Sequence, residues 1–586
     1  MRLRPGRLLA GQKHPGLSYD CLYTDRNTGA RPSRPTSIHK GVSMFDGITT
    51  VPKPVNEPVF PHAPGSPERA ELDAAIAELT STEQDFTMTI GGEKRRGAGE
   101  ELKVVQPHDH QSVLGTLGTA TEKDAQDAVD AAKAAAPEWA AMPFDERAAI
   151  MLRAADKLST TWRARINAAT MLGQSKTIQQ AEIDAIAEMA DFWRFNVHYA
   201  QQIMSQQPIS PTGQWNRMDY RPLDGFVYAI TPFNFTAIAG NLPTAPAIMG
   251  NTVVWKPAST QTLAADLTMR LLEESGMPPG VINMVTGHGK AVSDVVLADK
   301  GLGGIHFTGS TGVFQGLWSE VGKNIANYAT YPRLVGETGG KDFIVVHPSA
   351  DAAALKTAII RGAFEYQGQK CSAASRAYIP RSIWNELKDD LIAEVEALSM
   401  GSVLDFGNFM GAVIDDRSYA RVTAAIDRAK AKDTSTILAG GTYDDSEGYF
   451  IRPTIIESTD PKDELFVNEY FGPVIAVFVY EDDADFDALL TMVDEASPYA
   501  LTGAIFARDR KVVHHMATRL RGTAGNFYIN DRPTGSVVGQ QPFGGGRASG
   551  TNDKAGSMAN MMRWTSPRSI KETFNAPTDH RYPHMQ

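Results

Sequence analysis

The chain of 586 residues is 42% hydrophobic and 21% charged, a composition that suits a soluble globular protein of two or more domains. Its net charge of −11 argues against nucleic acid or an anionic membrane as the main partner. The two cysteines, Cys21 and Cys371, cannot build a disulfide framework or a cysteine-based zinc site, and they point to a reducing compartment.

Residues 1–43 carry eight Lys/Arg against Asp20 and Asp25, a balance of +6 that leaves −17 for the rest. This stretch is rich in Pro, Gly and Ser, lacks the apolar core of a secretory signal, and reads as a disordered leader. Its arginine bias resembles an organellar targeting segment, and a start misplaced upstream of Met44 explains it equally. Residues 122–202 are strongly helical in pattern. Short apolar runs then follow at 226–230, 252–255, 281–285 and 304–307, separated by helical segments. This alternation predicts βαβ units and a parallel sheet. A second alternating block begins at 343–346, continues through a helix to Phe364, and returns to a strand at 377–380. The uncharged stretch Gly225–Trp255 is interrupted by Pro232, Pro243 and Pro246, so it reads as buried strand, loop, helix and strand rather than a membrane span. Residues 206–222 are punctuated by Pro and Gly and predict a projecting hairpin. With the tail near 563–577 they are candidates for subunit contact.

Taken singly, each candidate functional residue has an ordinary reading. Cys371, in "YQGQKCSAAS", sits among small polar residues where a thiol would be open, although free cysteine is commonly a small buried hydrophobe. "HFTGSTGVF" places Gly309 in a turn and Ser310 at a helix start, which suits either a phosphate or a plain helix cap. Lys256 ends a strand in "WKPAS", at the sheet edge where ligands gather. In "GETGGKD" the glycine pair after Glu337 predicts a sharp turn that exposes the carboxylate. Asn234 of "TPFNFT" lies in an uncharged segment, where a buried amide must be hydrogen-bonded.

Together and in order, "PFNF", "WKPAS", "FTGST", "ETGGKD", "GQKCSAASR", "NEYFGPV" and "QPFGGGRASG" resemble the aldehyde dehydrogenase superfamily from about residue 45 to the end. "MLGQSKT", "GNFYINDRPTGSVVGQQPFGGGRASGTNDKAG" and "RWTSPRSIKETF" narrow the resemblance to the pyrroline-5-carboxylate dehydrogenase family. That family oxidises L-glutamate γ-semialdehyde to L-glutamate with NAD in proline breakdown. The resemblance implies an α/β architecture: a Rossmann-type NAD-binding domain, an α/β catalytic domain, and a small oligomerisation hairpin and tail. The expected division assigns 44–205 and 223–338 to NAD binding and 339–525 to catalysis. It assigns 206–222 and 550–586 to oligomerisation, and 526–549 to a substrate-anchoring loop region.

The roles follow residue by residue. Aldehyde oxidation by hydride loss needs a tetrahedral adduct first, which a thiolate at Cys371 would form. Lys370 and a helix N-terminus are candidates for stabilising that thiolate. Asn234 would stabilise the oxyanion with the Cys371 N–H, and Glu337 would be the general base for thioester hydrolysis. Lys256 and Ser259 would meet the adenosine ribose, and Gly309 and Ser310 the pyrophosphate. Glu469 and Phe471 would position the nicotinamide end. The preference for NAD over its 2′-phosphorylated form is inherited from the resemblance, because Ser259 carries no charge. Gly535 and Ser536 would anchor the substrate carboxylate, with Ser372 as a further donor, and Phe235 and Phe543 would pack on its methylenes. No metal is expected. A homodimer or higher homo-oligomer is expected, with a proline dehydrogenase as a candidate partner, in the cytoplasm or alternatively the mitochondrial matrix.

Two rival readings are weaker. A cysteine hydrolase needs a histidine base, and His514–His515 lie in a charged helical segment that reads as surface. A binding protein that kept the fold without activity would be free to lose Cys371 or Glu337, and both are present.

Overall fold

The computed structural model describes residues 47–585, so the leader expected at 1–43 lies outside the described residues. Its first large sheet runs in the order Arg333–Glu337, Leu302–Thr308, Phe226–Ile230, Val253–Lys256, Ile282–Met284, Met88–Ile90 and Glu93–Arg95. The first five strands are parallel. The last two form an antiparallel edge. All seven residues of Leu302–Thr308 are buried, as expected of a central parallel strand covered on both faces. The chain leaves Phe226–Ile230 toward Val253–Lys256 and returns on its other side with Leu302–Thr308. Strand order therefore reverses at Phe226–Ile230, the switch point beside which ligands bind in such sheets.

The second sheet runs Ser435–Ala439, Thr454–Ser458, Val474–Tyr480, Ala374–Pro380, Asp342–Val346, Thr502–Phe506 and Asn526–Ile529. All its pairings are parallel except that of Ser435–Ala439. The chain crosses from the first sheet to the second between Glu337 and Asp342. Asn526–Ile529 is the edge strand of this second sheet, paired with Thr502–Phe506, so a boundary at 525 cuts a hydrogen-bonded sheet and is corrected.

The segment 206–222 is not a local hairpin. Gln214–Arg221 pairs antiparallel with Ser566–Thr573, which joins the two tail candidates into one two-stranded ribbon. A hairpin would need a second strand nearby in sequence, and here the C-terminal segment supplies it. The three-stranded sheet of Gln84–Phe86, Glu101–Gln106 and Asp109–Gly118 also escaped the sequence reading. Its strands carry charges and glycines that blur the alternation. The uncharged stretch folds as the strand Phe226–Ile230, the helix Thr236–Ile248 with Pro243 and Pro246 inside it, and the strand Val253–Lys256. No helix among the described residues is long and apolar enough to cross a membrane.

Candidate active site

A cleft of ≈ 860 Å³ opens at the carboxyl edge of the first sheet, lined by Ile230, Asn234, Lys256, Gly309, Ser310, Cys371, Glu469 and Phe471 among others. Seven of the sequence-predicted site residues thus share one space.

Lys256 is the last residue of its strand, and its ammonium donates only to the Pro257 carbonyl at 3.0 Å. Burial pulls its pKa down to about 8. Ser259 opens the short turn Ser259–Gln261 just beyond Ala258, which lines the cleft. Ser310 caps the helix Thr311–Asn324 without a side-chain bond, so the first-turn N–H groups are not met by it. A Cβ at Gly312 or Gly316 of this helix would meet nothing within 4 Å. An open helix N-terminus, a glycine-lined face and an under-used ammonium in one cleft fit a dinucleotide.

Glu469 accepts from the Gly340 N–H at 3.1 Å, and burial pushes its carboxyl up to about 7. A Cβ at Gly339 would fall 2.0 Å from Glu469 Oε2, and one at Gly340 would fall 2.4 Å from the Cys371 carbonyl. The glycine pair after Glu337 therefore permits close approach; neither residue has the positive φ of the expected sharp turn. Phe471 sits at φ +55 with its ring edge-on to Phe233, centroids 5.8 Å apart.

Cys371 lies in a turn closed by the Ala373 N–H on the Lys370 carbonyl, just before the strand Ala374–Pro380. The preceding residues Tyr366, Gln367 and Gly368 are left-handed, at φ 53, 55 and 65. For the two non-glycines this costs on the order of 1–3 kcal/mol each. Side-chain amides hold them there. Gln367 donates to the Ser175 and Ala412 carbonyls at 2.9 and 2.7 Å, and Gln369 accepts from the Ile414 N–H at 2.9 Å. The expected thiolate support is corrected by this geometry. Cys371 is at no helix N-terminus, and Lys370 pairs with Glu365 at 3.1 Å. Although the residue is partly open to the cleft, burial of its sulfur pushes the thiol well above the ordinary range, and Glu337, Asp342, Glu469 and Glu188 push it the same way. Asn234 is buried and donates to the Gln369 carbonyl at 3.0 Å, which ties it to the cysteine turn.

Glu337 ends its strand and faces a separate chamber of ≈ 30 Å³ with Glu188, His306, Phe543 and Asp553. Phe307 and Thr308 line both spaces, so one wall divides chamber from cleft. Enclosure raises the Glu337 carboxyl to about 8, with Lys554 opposing and Asp553 adding to the rise.

The substrate candidates are more scattered. Ser372 is buried with its hydroxyl bonded to Thr534 Oγ1 at 2.8 Å, so it ties the cysteine turn to the 534–536 loop rather than presenting an open donor. Gly535 is exposed at φ +95, and Ser536 is half-buried beside it. Phe543 lines the Glu337 chamber, and its backbone pairs with Ala555. Phe235 lies under the Lys176 ammonium, 4.1 Å from the ring centroid.

Sequence reasoning missed that ammonium and its partner. Lys176 and Asp184 are both buried and meet at 2.6 Å, and Asp184 accepts the N–H groups of Thr236 and Ala237 at 2.9 Å. Acids at 182, 184 and 188 in an otherwise apolar helical run were the available signal. The segment Glu182–Glu188 is a π-helix, a form that recurs at functional sites.

Residues 94–570 match the aldehyde dehydrogenase family. The chain belongs to that family. The mitochondrial delta-1-pyrroline-5-carboxylate dehydrogenase of Dictyostelium discoideum is 48% identical over 538 residues, 91% of this chain and 96% of that protein. The NAD-bound crystal structure of the delta-pyrroline-5-carboxylate dehydrogenase from Mycobacterium tuberculosis matches with a TM-score of 0.90 and 61% identity, covering 92% of this chain and 100% of that one. Proline utilization A from Bdellovibrio bacteriovorus matches with a TM-score of 0.83 and 29% identity, over 91% of this chain and 55% of that one.

Proposed function

We propose that this enzyme oxidises L-glutamate γ-semialdehyde to L-glutamate with NAD, the step that follows ring opening of 1-pyrroline-5-carboxylate in proline breakdown. The observation that carries the reading is the placement of the Cys371 thiol in the same cleft as Lys256, the Ser310-capped helix, Glu469 and Phe471. A nucleophile in the same cleft as residues suited to a dinucleotide is what aldehyde oxidation through a covalent adduct requires. The relatives named above support the substrate.

NAD, when bound, supplies the two-electron acceptor for the hydrogen leaving the aldehyde carbon. Lys256 and Ser259 hold the adenosine ribose, Gly309 and Ser310 the pyrophosphate, and Glu469 and Phe471 the nicotinamide end. Cys371 Sγ bonds to the aldehyde carbon as the thiol gives its proton to water, and the carbonyl electron pair moves to oxygen. The second Asn234 amide hydrogen and the Cys371 N–H stabilise that oxyanion, and one such donor is worth about 3–4 kcal/mol. Oxidation leaves a thioester on Cys371. Glu337 takes a proton from water, the new C–O bond forms, and the C–S bond breaks as the sulfur takes that proton back from Glu337 to return the thiol. Glu337 must turn out of its chamber for this step. Gly544 gives the carboxyl room where it now lies, because a Cβ there would come 3.1 Å from Glu337 Oε1.

The far carboxylate of the substrate is held by Gly535 and Ser536, on a loop tied to the cysteine turn through Ser372 and Thr534. The ribbon of Gln214–Arg221 and Ser566–Thr573 leaves Trp215 49% exposed, and a two-stranded ribbon is marginal alone, which supports a homo-oligomer built through it. A proline dehydrogenase is the partner proposed to supply substrate. The cytoplasm or alternatively the mitochondrial matrix is the proposed compartment, the latter supported by the mitochondrial relatives; fractionation of source cells decides between them.

The direct test of the covalent route is Cys371→Ala. NADH formation from the semialdehyde is lost, while NAD still binds as read by protein-fluorescence quenching. Retained turnover would overturn the mechanism.

A further inference from the structure

The deacylating base is gripped by one loop, Gly550–Gly556, at two places. Glu337 bridges to Gly550, and Thr551 exchanges bonds with both the N–H and the carbonyl of Gly336 at 3.0 and 2.9 Å. Three residues on, Lys554 adopts a left-handed φ of +58 and turns its ammonium inward. There Nζ donates to the Gly525 and Gly544 carbonyls, both at 2.8 Å, with Asn526 Oδ1 at 3.5 Å. Asn526 Oδ1 in turn accepts the Gly544 N–H at 3.1 Å. Gly544 is also the glycine that abuts the Glu337 carboxyl, so base and ammonium sit on the same residue.

The other titratable groups around Glu337 are Glu188 from the π-helical segment across the chamber, His306 from the neighbouring strand, Asp553 beside Arg563, and Cys371. His306 is neutral at physiological pH, because burial lowers its pKa to about 4 against the opposing effect of the 2.9 Å hydrogen bond between Nδ1 and the Leu242 carbonyl. Among the described residues that act on Glu337, Lys554 is the source of positive charge and Asp553 opposes it.

We propose that Lys554 is a positioning residue for Glu337, its ammonium fixing both the seat of the base at Gly544 and the pH range over which that base accepts a proton from the deacylating water. The inference rests on Glu337 being that base. Three loads converge on the ammonium: the end strand of the second sheet through Gly525 and Asn526, the glycine run at Gly544, and the charge on Glu337. Removing the charge leaves an enclosed carboxyl with acidic neighbours and no counter-ion. Its protonated form is then favoured to a higher pH, and the acid limb of turnover moves up.

The experiment is the pH profile of kcat for the full-length wild type, Lys554→Gln, Lys554→Arg and Glu337→Gln, with NAD binding and thermal midpoint measured on each. Glutamine can still donate to the Gly525 and Gly544 carbonyls, so it removes charge while keeping the anchor. For Lys554→Gln the acid limb moves up by on the order of one pH unit, with a roughly tenfold lower kcat near neutrality and an acyl-enzyme burst of NADH before the slow steady state. Lys554→Arg keeps the wild-type limb. A purely structural role would lower the thermal midpoint and scale kcat at every pH without moving the limb, and that result, or an unmoved limb in folded Lys554→Gln, overturns the inference. Wild-type turnover in Glu337→Gln would instead remove the base assignment itself.

Discussion

Asp184 and Lys176 form a buried ion pair, 2.6 Å from Nζ to Oδ2, immediately behind the segment that carries Asn234. The same carboxylate accepts the first two N–H groups of the helix Thr236–Ile248, and the same ammonium lies between the rings of Phe235 and Tyr366, 4.1 and 4.4 Å from their centroids. Tyr366 belongs to the left-handed segment before Cys371. One pair therefore couples the segment of Asn234, the proposed oxyanion donor, to the turn of Cys371, the proposed nucleophile.

Asp184→Asn should break that coupling. It leaves the Lys176 charge buried without a counter-ion, a loss of about 3–5 kcal/mol, visible as a lower denaturant midpoint. The double variant Asp184→Asn/Lys176→Met should recover part of this stability, measured in the same urea titration. Equal stability of the single variant and the wild type would show the pair to be dispensable.

Asn234→Ala should lower kcat by roughly 10²–10³ with little change in the affinity for NAD, because the proposed role of the amide is on the substrate oxygen and not on the cofactor. A loss confined to KM for NAD would place Asn234 in cofactor binding instead.

The free enzyme should be slow to alkylate. Burial and four carboxylates hold the Cys371 thiol well above its ordinary value. A raised pKa favours the neutral thiol, so reaction with iodoacetamide should still climb beyond pH 9, past the value of about 8.5 of an unperturbed cysteine. A plateau below pH 8 would contradict this environment.

Much of the site was legible because its signals are local. Lys256 ends an apolar run, Ser310 opens a helix after a glycine, and Cys371 stands among small polar residues; each follows from a few neighbours in sequence. What was hidden depends on distant partners. Lys370 looked like a free cation until its pairing with Glu365 was seen, and Ser372 looked like an open donor until Thr534 met it. The pairing of Gln214–Arg221 with Ser566–Thr573 joins segments some 350 residues apart, which no periodicity announces. Lys176, Asp184 and Lys554 carry no signature of their own, since their roles arise from burial and from the backbone groups they meet.

The measurement closest to the central claim compares kcat/KM for glutamate semialdehyde with that for butanal, following NADH formation with NAD in excess. Hydrogen bonds to the charged end of the substrate contribute roughly 1.5–3 kcal/mol each, and a single bond in that range is a factor of about ten or more. The semialdehyde should therefore be preferred by at least about tenfold, and Ser536→Ala should narrow that preference by slowing the semialdehyde while leaving butanal unchanged. Equal efficiency on the two aldehydes by the wild type would contradict the assignment and leave an aldehyde dehydrogenase of another substrate.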